Sequence, residues 1–532
     1  MSREKTAAHL GRPRNPLEHL SLLPLLASTY RLLRQTGLLS PFAPMALLQL
    51  GLSFLRHGVS LYSLAAWSAR RFPERLALLE GERQLSFGEL ATSTHRLASV
   101  LAQTFPGARS VGLLGRNRIE YVEAVLACGR WGAETFLLNT MWGAEQLKAF
   151  LEARPVDLLF YDAEFHPAVT SIRQHSPRTH LICLDQTIEG TTDLAELRSV
   201  RASSPLPRRG SGRLTLLTSG TTGAAKLVRR KPSLGELLGL LTGLLSALQP
   251  RTGDPVLLTV PLLHGHGLTT LGLSLAMAVP LYLFPRGRAE DYLHCLERYP
   301  IRVLTVVPTI LYRLLGAAPP GWQPRSLDRI ICGSAPLPPE LARRTLKRLG
   351  PVLFNLYGSS ETGVISLATP RDLAEAPDCV GRPLPGVGLT ILNPQHNPLK
   401  PGEIQIERGG IAVKTGDVGR LDAEGRLFLL GRRDEMLILG GENVYPQALE
   451  AQIQQALEYA LECAVVGVPD PEYGQAVHLF VVLKEGRTLE AEQIAQDLEA
   501  ALPRTLRPKR VTVLEALPKN LAGKVQRHRL AH

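Results

Sequence analysis

Thr218-Ser219-Gly220-Thr221-Thr222-Gly223, with Lys226 after two alanines, is a run of hydroxyls and glycines ending in a cation. Behind it lies the apolar stretch Leu214–Leu217, which has the length and composition of a buried strand. Glycines let backbone N–H groups close on a ligand and form an anion-binding concavity. Hydroxyls add donors and metal ligands, and a lysine adds a point charge suited to phosphate. The chemistry such a run can do is capture of a polyphosphate; an ordinary Ser/Thr/Gly turn is the competing reading. It is not a Walker A loop, because Lys226 stands between Ala225 and Leu227 where Gly-Lys-Ser/Thr is required.

Other candidates sit at the ends of apolar runs. Phe354–Tyr357 leads into Gly358-Ser359-Ser360-Glu361, where Tyr357 can stack on a base, Ser360 can donate to a phosphate oxygen and Glu361 can hold Mg²⁺. Arg329–Cys332 leads into Gly333-Ser334-Ala335, whose small side chains leave room for a flat ring. Asp417 offers two acceptor oxygens to a pair of ribose hydroxyls. His264, among glycines after Val256–Val260, is by itself unassigned, and a lysine as near the C-terminus as Lys524 is more often a solvated charge.

Together these strings resemble the adenylate-forming enzymes: acyl-CoA synthetases, luciferases and peptide-synthetase adenylation domains. The resemblance covers about residues 60 to 532 and adds Gly431-Arg432-Arg433-Asp434 and Gly440-Gly441-Glu442-Asn443 as the crossover into a small C-terminal domain. It implies ATP-dependent activation of a small-molecule carboxylic acid to acyl-AMP, then transfer to CoA, with ATP, Mg²⁺ and CoA as cofactors. By resemblance, Lys524 and Glu361 are catalytic, Thr218 and Glu361 hold the metal, and residues 218–223 with Lys226 cradle phosphates. Gly333 to Ala335, Tyr357 to Ser360, Asp417 and Arg432 contact the nucleotide. His264 lines the acyl pocket, Asp434 is the hinge, and Gly440 to Asn443 face CoA. Ser86-Phe87-Gly88-Glu89-Leu90 and Leu137-Leu138-Asn139-Thr140 resemble the fatty-acyl branch, so a medium- or long-chain fatty acid is the expected substrate. An aryl or short branched acid, or an acyl carrier protein in place of CoA, is the alternative. The chain departs from the pattern at Ala225, where the family usually has Pro, at Ser360, where Thr is common, and in a short stretch between Gly402 and Asp417.

The elements that must position these groups read as α/β. Strands expected at Leu76–Leu79, Val111–Leu114, Phe136–Asn139, Asp157–Tyr161 and Val303–Pro308 alternate with helices such as Tyr121–Cys128 and Leu237–Leu248. Such alternation implies mainly parallel sheet covered on both faces. Beyond Asp434 the pattern becomes small α+β, with helices at Pro446–Ala456 and Glu490–Ala501 and strands at Ala464–Val468 and Leu479–Leu483. The expected division is a leader over 1–60, a large nucleotide- and acyl-binding domain over 61–433 and a mobile domain over 434–532.

At 532 residues two or more domains are expected. Six scattered cysteines without a C-x-x-C pair argue against a metal cluster or disulfide scaffold and fit a cytoplasmic protein. The net charge of +12 suits an anionic membrane or substrate; without a long Lys/Arg run, nucleic acid is not an expected partner. Residues 35–55 carry no charge, yet Pro41, Pro44 and Gly51 oppose a membrane span. Amphipathic helices lying in a membrane interface, through residues 1–58, are the expectation. Simple packing on the domain behind them is the alternative.

Overall fold

A computed structural model describes residues 30–37, 43–171, 178–201, 206, 212–219, 225–228, 234–359, 362–408, 411–439, 442–470, 474–499, 501–520 and 523–530. Helix starts are set locally. Ser86 caps the helix Phe87–Thr104 by accepting from Glu89 N, while the Glu89 carboxylate accepts from Ser86 N. Along that helix Phe87, Leu90, Leu97 and Leu101 fall on one buried face at helical spacing. The helix Ile119–Trp131 is buried along most of its length, as expected of an element between two sheets.

Two large sheets carry the body of the chain. One has seven strands, with Leu158–Tyr161, Ser110–Leu114, Glu134–Leu137 and Arg213–Ser219 running parallel in that order and Ala225–Val228 added antiparallel at the edge. The other has nine. There Leu76–Glu80, Leu281–Leu283, Val256–Leu258, Val303–Val306, Arg329–Gly333 and Leu353–Ser359 are parallel, and Gly363–Ala368 turns back antiparallel. Asn117 joins the sheets. It lies just past Ser110–Leu114, its amide donates to Val260 O at 2.9 Å, and its carbonyl accepts from Leu262 N at 2.8 Å. The buried amide thereby satisfies the backbone where the strand Val256–Leu258 gives way to the segment that bears His264.

A third, four-stranded sheet of Gly388–Leu392, Gly402–Arg408, Ile411–Leu421 and Leu427–Arg432 is antiparallel throughout. The chain then passes through a single turn, Arg433–Glu435, into a sheet built from Leu437–Leu439, Glu442–Val444, Ala460–Asp470, Gly474–Leu483 and Pro508–Val513. Pro446–Ala456 packs on this last sheet, with Leu449 and Ile453 in its core. Fold class therefore agrees with the expectation: a large α/β part with parallel sheets, then a small α+β part. Several elements differ in extent from the expected ones. The expected strand Phe354–Tyr357 continues to Ser359 because it pairs with Gly363–Ala368, and the expected helix Glu490–Ala501 is confined to Ala491–Asp497.

The described part of the N-terminal leader packs on the large α/β part. Leu33 is buried in its main core, Thr36 O accepts from Thr252 N, and Ser53 Oγ of the helix Ala43–His57 donates to Ser63 O. Among the described residues no helix is long and apolar enough to cross a membrane. All six cysteines are buried and unpaired.

The small sheet is fastened to the last segment of the chain by Arg527. Its guanidinium donates to both oxygens of Glu450 (2.7 and 2.9 Å) and to Glu435 Oε2 (3.0 Å), linking the crossover turn to the segment that follows Lys524. The pair is mostly buried, so losing one partner leaves the other unpaired. Arg527→Ala is expected to destabilise the small domain by about 3 kcal/mol or more. Hydrogen exchange of the full chain should show this as faster exchange in the strands at 460–470 and 474–483; unchanged exchange there would refute it.

Candidate active site

Three parallel strands, Val303–Val306, Arg329–Gly333 and Leu353–Ser359, end side by side, and ligands in open α/β sheets collect beyond such carboxyl ends. At the middle strand's end a Cβ on Gly333 would lie 2.9 Å from Leu356 O and 3.4 Å from His266 Cε1. Glycine there is a packing requirement. Ser334 follows in the left-handed region (φ +72°), where its hydroxyl meets His266 Nδ1 at 3.3 Å. Ala335 completes the small-residue string.

His264 and His266 enter on the helix Gly265–Met277, whose N-cap is His264. The imidazole of His264 does not cap the helix, so it stays available to the cleft. Burial lowers its pKa to about 4, and the nearby positive charge of Lys524 adds to the effect. His266 is likewise pushed to about 4, first by burial and then by His264. Both rings are neutral at physiological pH, and the Nε2 atom of each is buried without a hydrogen-bond partner. Sequence reasoning passed over His266, although its place two residues after His264 put it in the first turn of the same helix.

Lys524 arrives from the other end of the chain. Lys519 and Val525 form a bridge, with Asn520 N donating to Lys524 O and Asn520 Oδ1 accepting from Lys524 N, both at 2.9 Å. Gly523, at φ +77°, faces Val307, Thr309 and Ala335; a Cβ there would stand 2.9 Å from Thr309 Oγ1. The turn therefore sits directly on the strand ends just described. Lys519 is held by Glu462, whereas the Lys524 ammonium has no carboxylate partner among the described residues. One lysine anchors the turn and the other is left to act.

On the nucleotide side, Tyr357 Oη donates to Asp417 Oδ2 at 2.5 Å, and Arg432 Nη1 reaches Asp417 Oδ1 at 3.2 Å and Thr415 O at 3.0 Å. Arg432 Nε and Nη2 also donate to the two oxygens of Asp434, at 3.0 and 3.3 Å. Burial and the Asp417 carboxylate both raise the Tyr357 pKa, so the phenol remains a donor. Burial would raise the Asp434 pKa, but the hydrogen bonds and charge of Arg432 outweigh it and lower it. Asp417 thus belongs to an ordered chain that runs from Tyr357 through Arg432 to Asp434, the residue expected to be the hinge.

The phosphate string is a hairpin. Thr218 and Ser219 close the strand Arg213–Ser219, and Lys226 lies opposite Thr218 in the antiparallel register. Gly358 and Ser359 also sit in a strand that enters a hairpin, with Ser359 Oγ accepting from Thr362 N at 3.1 Å. Gly220 to Gly223, Ser360, Glu361, Gly440 and Gly441 lie outside the described residues, and Glu442 and Asn443 are described only as backbone of Glu442–Val444. Glu361, the expected Mg²⁺ partner of Thr218, is among these.

Sequence comparison agrees with this arrangement: the AMP-binding enzyme profile matches residues 65–419, and the AMP-binding enzyme C-terminal domain matches 452–524. The chain belongs to the AMP-binding enzyme family. It is 32% identical to indoleacetate–CoA ligase of Aromatoleum aromaticum, over 86% of this chain and 94% of that one. It is 29% identical to 2-succinylbenzoate–CoA ligase of Bacillus velezensis, over 87% and 96%. Among solved structures, o-succinylbenzoate CoA synthetase of Bacillus subtilis with its acyl-adenylate intermediate superposes with a TM-score of 0.75 at 27% identity, covering 88% of this chain and 98% of that one.

Two outcomes follow from the geometry. Between pH 6.5 and about 4 the unfolded chain protonates His266 while the folded chain does not, so stability falls as pH drops through that window. In His266→Gln the melting temperature should decline less between pH 7 and 5 than in the parent protein; parallel declines would contradict a buried neutral ring. Gly523→Ala meets both the positive φ and Thr309, so acid-dependent release of pyrophosphate should fall at least about tenfold, the equivalent of ~1.4 kcal/mol. The same variant should retain its overall Tm.

Proposed function

We propose that this protein is an AMP-forming acid–CoA ligase with ATP, Mg²⁺ and CoA as its cofactors. In the first half-reaction the acid's carboxylate oxygen bonds to the α-phosphorus of ATP and the bond to the β-phosphate bridging oxygen breaks. The products are acyl-AMP and pyrophosphate. Three anionic groups crowd this step, so positioning and charge compensation carry the catalysis. Lys524 places its ammonium between carboxylate and α-phosphate. Asp417 accepts from the ribose hydroxyls, held in orientation by Tyr357 and Arg432. The hairpin turn between Ser219 and Ala225 cradles the β- and γ-phosphates, with Lys226 as its cation and Thr218 and Glu361 at the metal, whose bound form screens phosphate charge. In the second half-reaction the thiol sulfur of CoA bonds to the acyl carbon, the carbon–oxygen bond to phosphate breaks, AMP leaves and the thiol proton passes to solvent. For this step the small domain pivots at Asp434, withdrawing Lys524 and presenting the Gly440–Asn443 side.

The observation that carries the reading is the Gly523–Lys524 turn seated on Val307, Thr309 and Ala335 beside His264. That is the placement the first half-reaction needs.

The acid is proposed to carry an aromatic ring. The two ligases compared above are named for indoleacetate and 2-succinylbenzoate, both aryl acids. This shifts the substrate away from the fatty acid expected from the short strings near Ser86 and Leu137. Neutral His264, with a buried unpartnered Nε2 near Lys524, suits an acid with a ring and a polar atom. A medium- or long-chain fatty acid is the second reading, favoured by the exposed apolar helix face described below.

Pyrophosphate release should be measured with indoleacetate, phenylacetate, 2-succinylbenzoate, octanoate and palmitate, with and without CoA. The aryl acids should turn over fastest, and acyl-CoA should appear only with CoA present. Octanoate or palmitate exceeding them would select the second reading, and acyl-AMP unreactive toward CoA would point to a carrier protein as acceptor. In Lys524→Ala, acyl-AMP formation should drop about 10²–10³-fold, as for loss of one charge-stabilising donor. Thioester formation from supplied acyl-AMP should change little. Undiminished adenylation would remove Lys524 from the mechanism.

A further inference from the structure

The helix Ala43–His57 has two unlike faces. Ser53 is buried against Ser63, and Leu50 packs on the main core. On the other side Leu48, Leu52 and Leu55 are 56, 37 and 84% exposed, and Val59, just beyond the helix, is 54% exposed. Positions 48, 52 and 55 share one helical face. The other exposed large apolar side chains of the described residues, such as Met141, Leu399 and Ile411, lie far from this stretch in the sequence. It is the clustering of four that marks a contact surface.

The charge of the sequence around this helix is one-sided. From His19 to Pro73 the sequence contains no Asp or Glu, while Arg31, Arg34, Arg56, Arg70 and Arg71 all fall within it. Arg31, Arg34 and Arg56 are exposed. Leucines on one face of a helix, with arginines and no acid nearby, form the pattern of a helix lying flat on an anionic bilayer.

We infer that Leu48, Leu52, Leu55 and Val59, with the neighbouring arginines, dock the protein on the surface of an anionic lipid membrane. Two other occupants fit less well. A second copy of the chain would bring identical arginines together across a two-fold interface, and four side chains offer less than the roughly 800 Å² per partner of a stable pair. Burial beneath the chain's own residues 1–29 would make Leu48 and Leu55 contributors to stability. The inference is independent of which acid is activated, since it concerns where the enzyme sits.

The test is sedimentation of the full chain with vesicles of phosphatidylcholine alone or of phosphatidylglycerol and phosphatidylcholine. The protein should sediment with the mixed vesicles at low salt and be released by salt. Two triple variants, Leu48→Ser/Leu52→Ser/Leu55→Ser and Arg31→Gln/Arg34→Gln/Arg56→Gln, should each weaken that binding about tenfold or more, a factor worth ~1.4 kcal/mol. Melting temperature and adenylation of a water-soluble acid should stay unchanged. The inference fails if the parent protein ignores anionic vesicles, or if the leucine variant binds them as well as the parent. It fails too if that variant melts markedly lower, because the face is then covered by the chain itself. A parent dimer that the leucine variant converts to monomer would identify a second copy as the occupant.

Discussion

An ammonium without a carboxylate partner among the described residues, that of Lys524, is carried by Gly523 to the carboxyl ends of parallel strands, and much of the C-terminal part is arranged around that placement. A free lysine near a C-terminus would be solvated and mobile. Here Asn520 fixes the backbone of residue 524 on both sides, Glu462 occupies Lys519, and Arg527 ties the following segment to Glu450 and Glu435. Glu462, Glu450 and Glu435 are thus committed to other cations, and the Lys524 ammonium has no carboxylate partner among the described residues. The neighbouring histidines are held neutral by burial, so they neither repel that charge in the cleft nor compete for the substrate's carboxylate as cations.

Parallel strands make the other half of the arrangement. Because neighbouring strands in a parallel sheet point the same way, their carboxyl ends gather the polar residues that follow them onto one edge. Asn117, Gly333 to Ala335 and Gly523's contacts at Val307 and Thr309 all follow such ends. The strings expected to meet phosphate are flanked differently: Arg213–Ser219 pairs antiparallel with Ala225–Val228, and Leu353–Ser359 with Gly363–Ala368. A strand end presents one or two residues; a hairpin turn presents several backbone groups at once, which is what a polyphosphate requires.

The Tyr357–Asp417–Arg432–Asp434 chain joins two jobs that the sequence kept apart. Asp417 is suited to a ribose, whereas Asp434 lies in the turn between the third sheet and the last one. Arg432 holds both carboxylates, so the residue expected to meet ribose and the crossover share one guanidinium. Its planar fork allows this; a lysine, as a point charge, could not satisfy both with fixed geometry.

Much of the fold was legible in sequence because its determinants are local. Apolar runs of strand length, the Ser86 capping box and the alternation of strand and helix all act over a few residues, and the elements they predict are present with small changes of extent. Residue types likewise made the phosphate string and Asp417 candidates, whereas Lys524 became one only through the family resemblance. What no local pattern contains is convergence. Ser334 and His266 meet across 68 positions, Gly523 packs on Thr309 and Ala335, and Asn117 stitches two sheets. These contacts depend on how sheets and domains pack over long sequence separations, as does the division of the leader helix into a buried side and an exposed one. The sequence alone named candidates for phosphate, ribose and acid; tertiary packing decided which of the described ones meet, since only burial and the shared edges of distant strands can bring such groups together and set their charge.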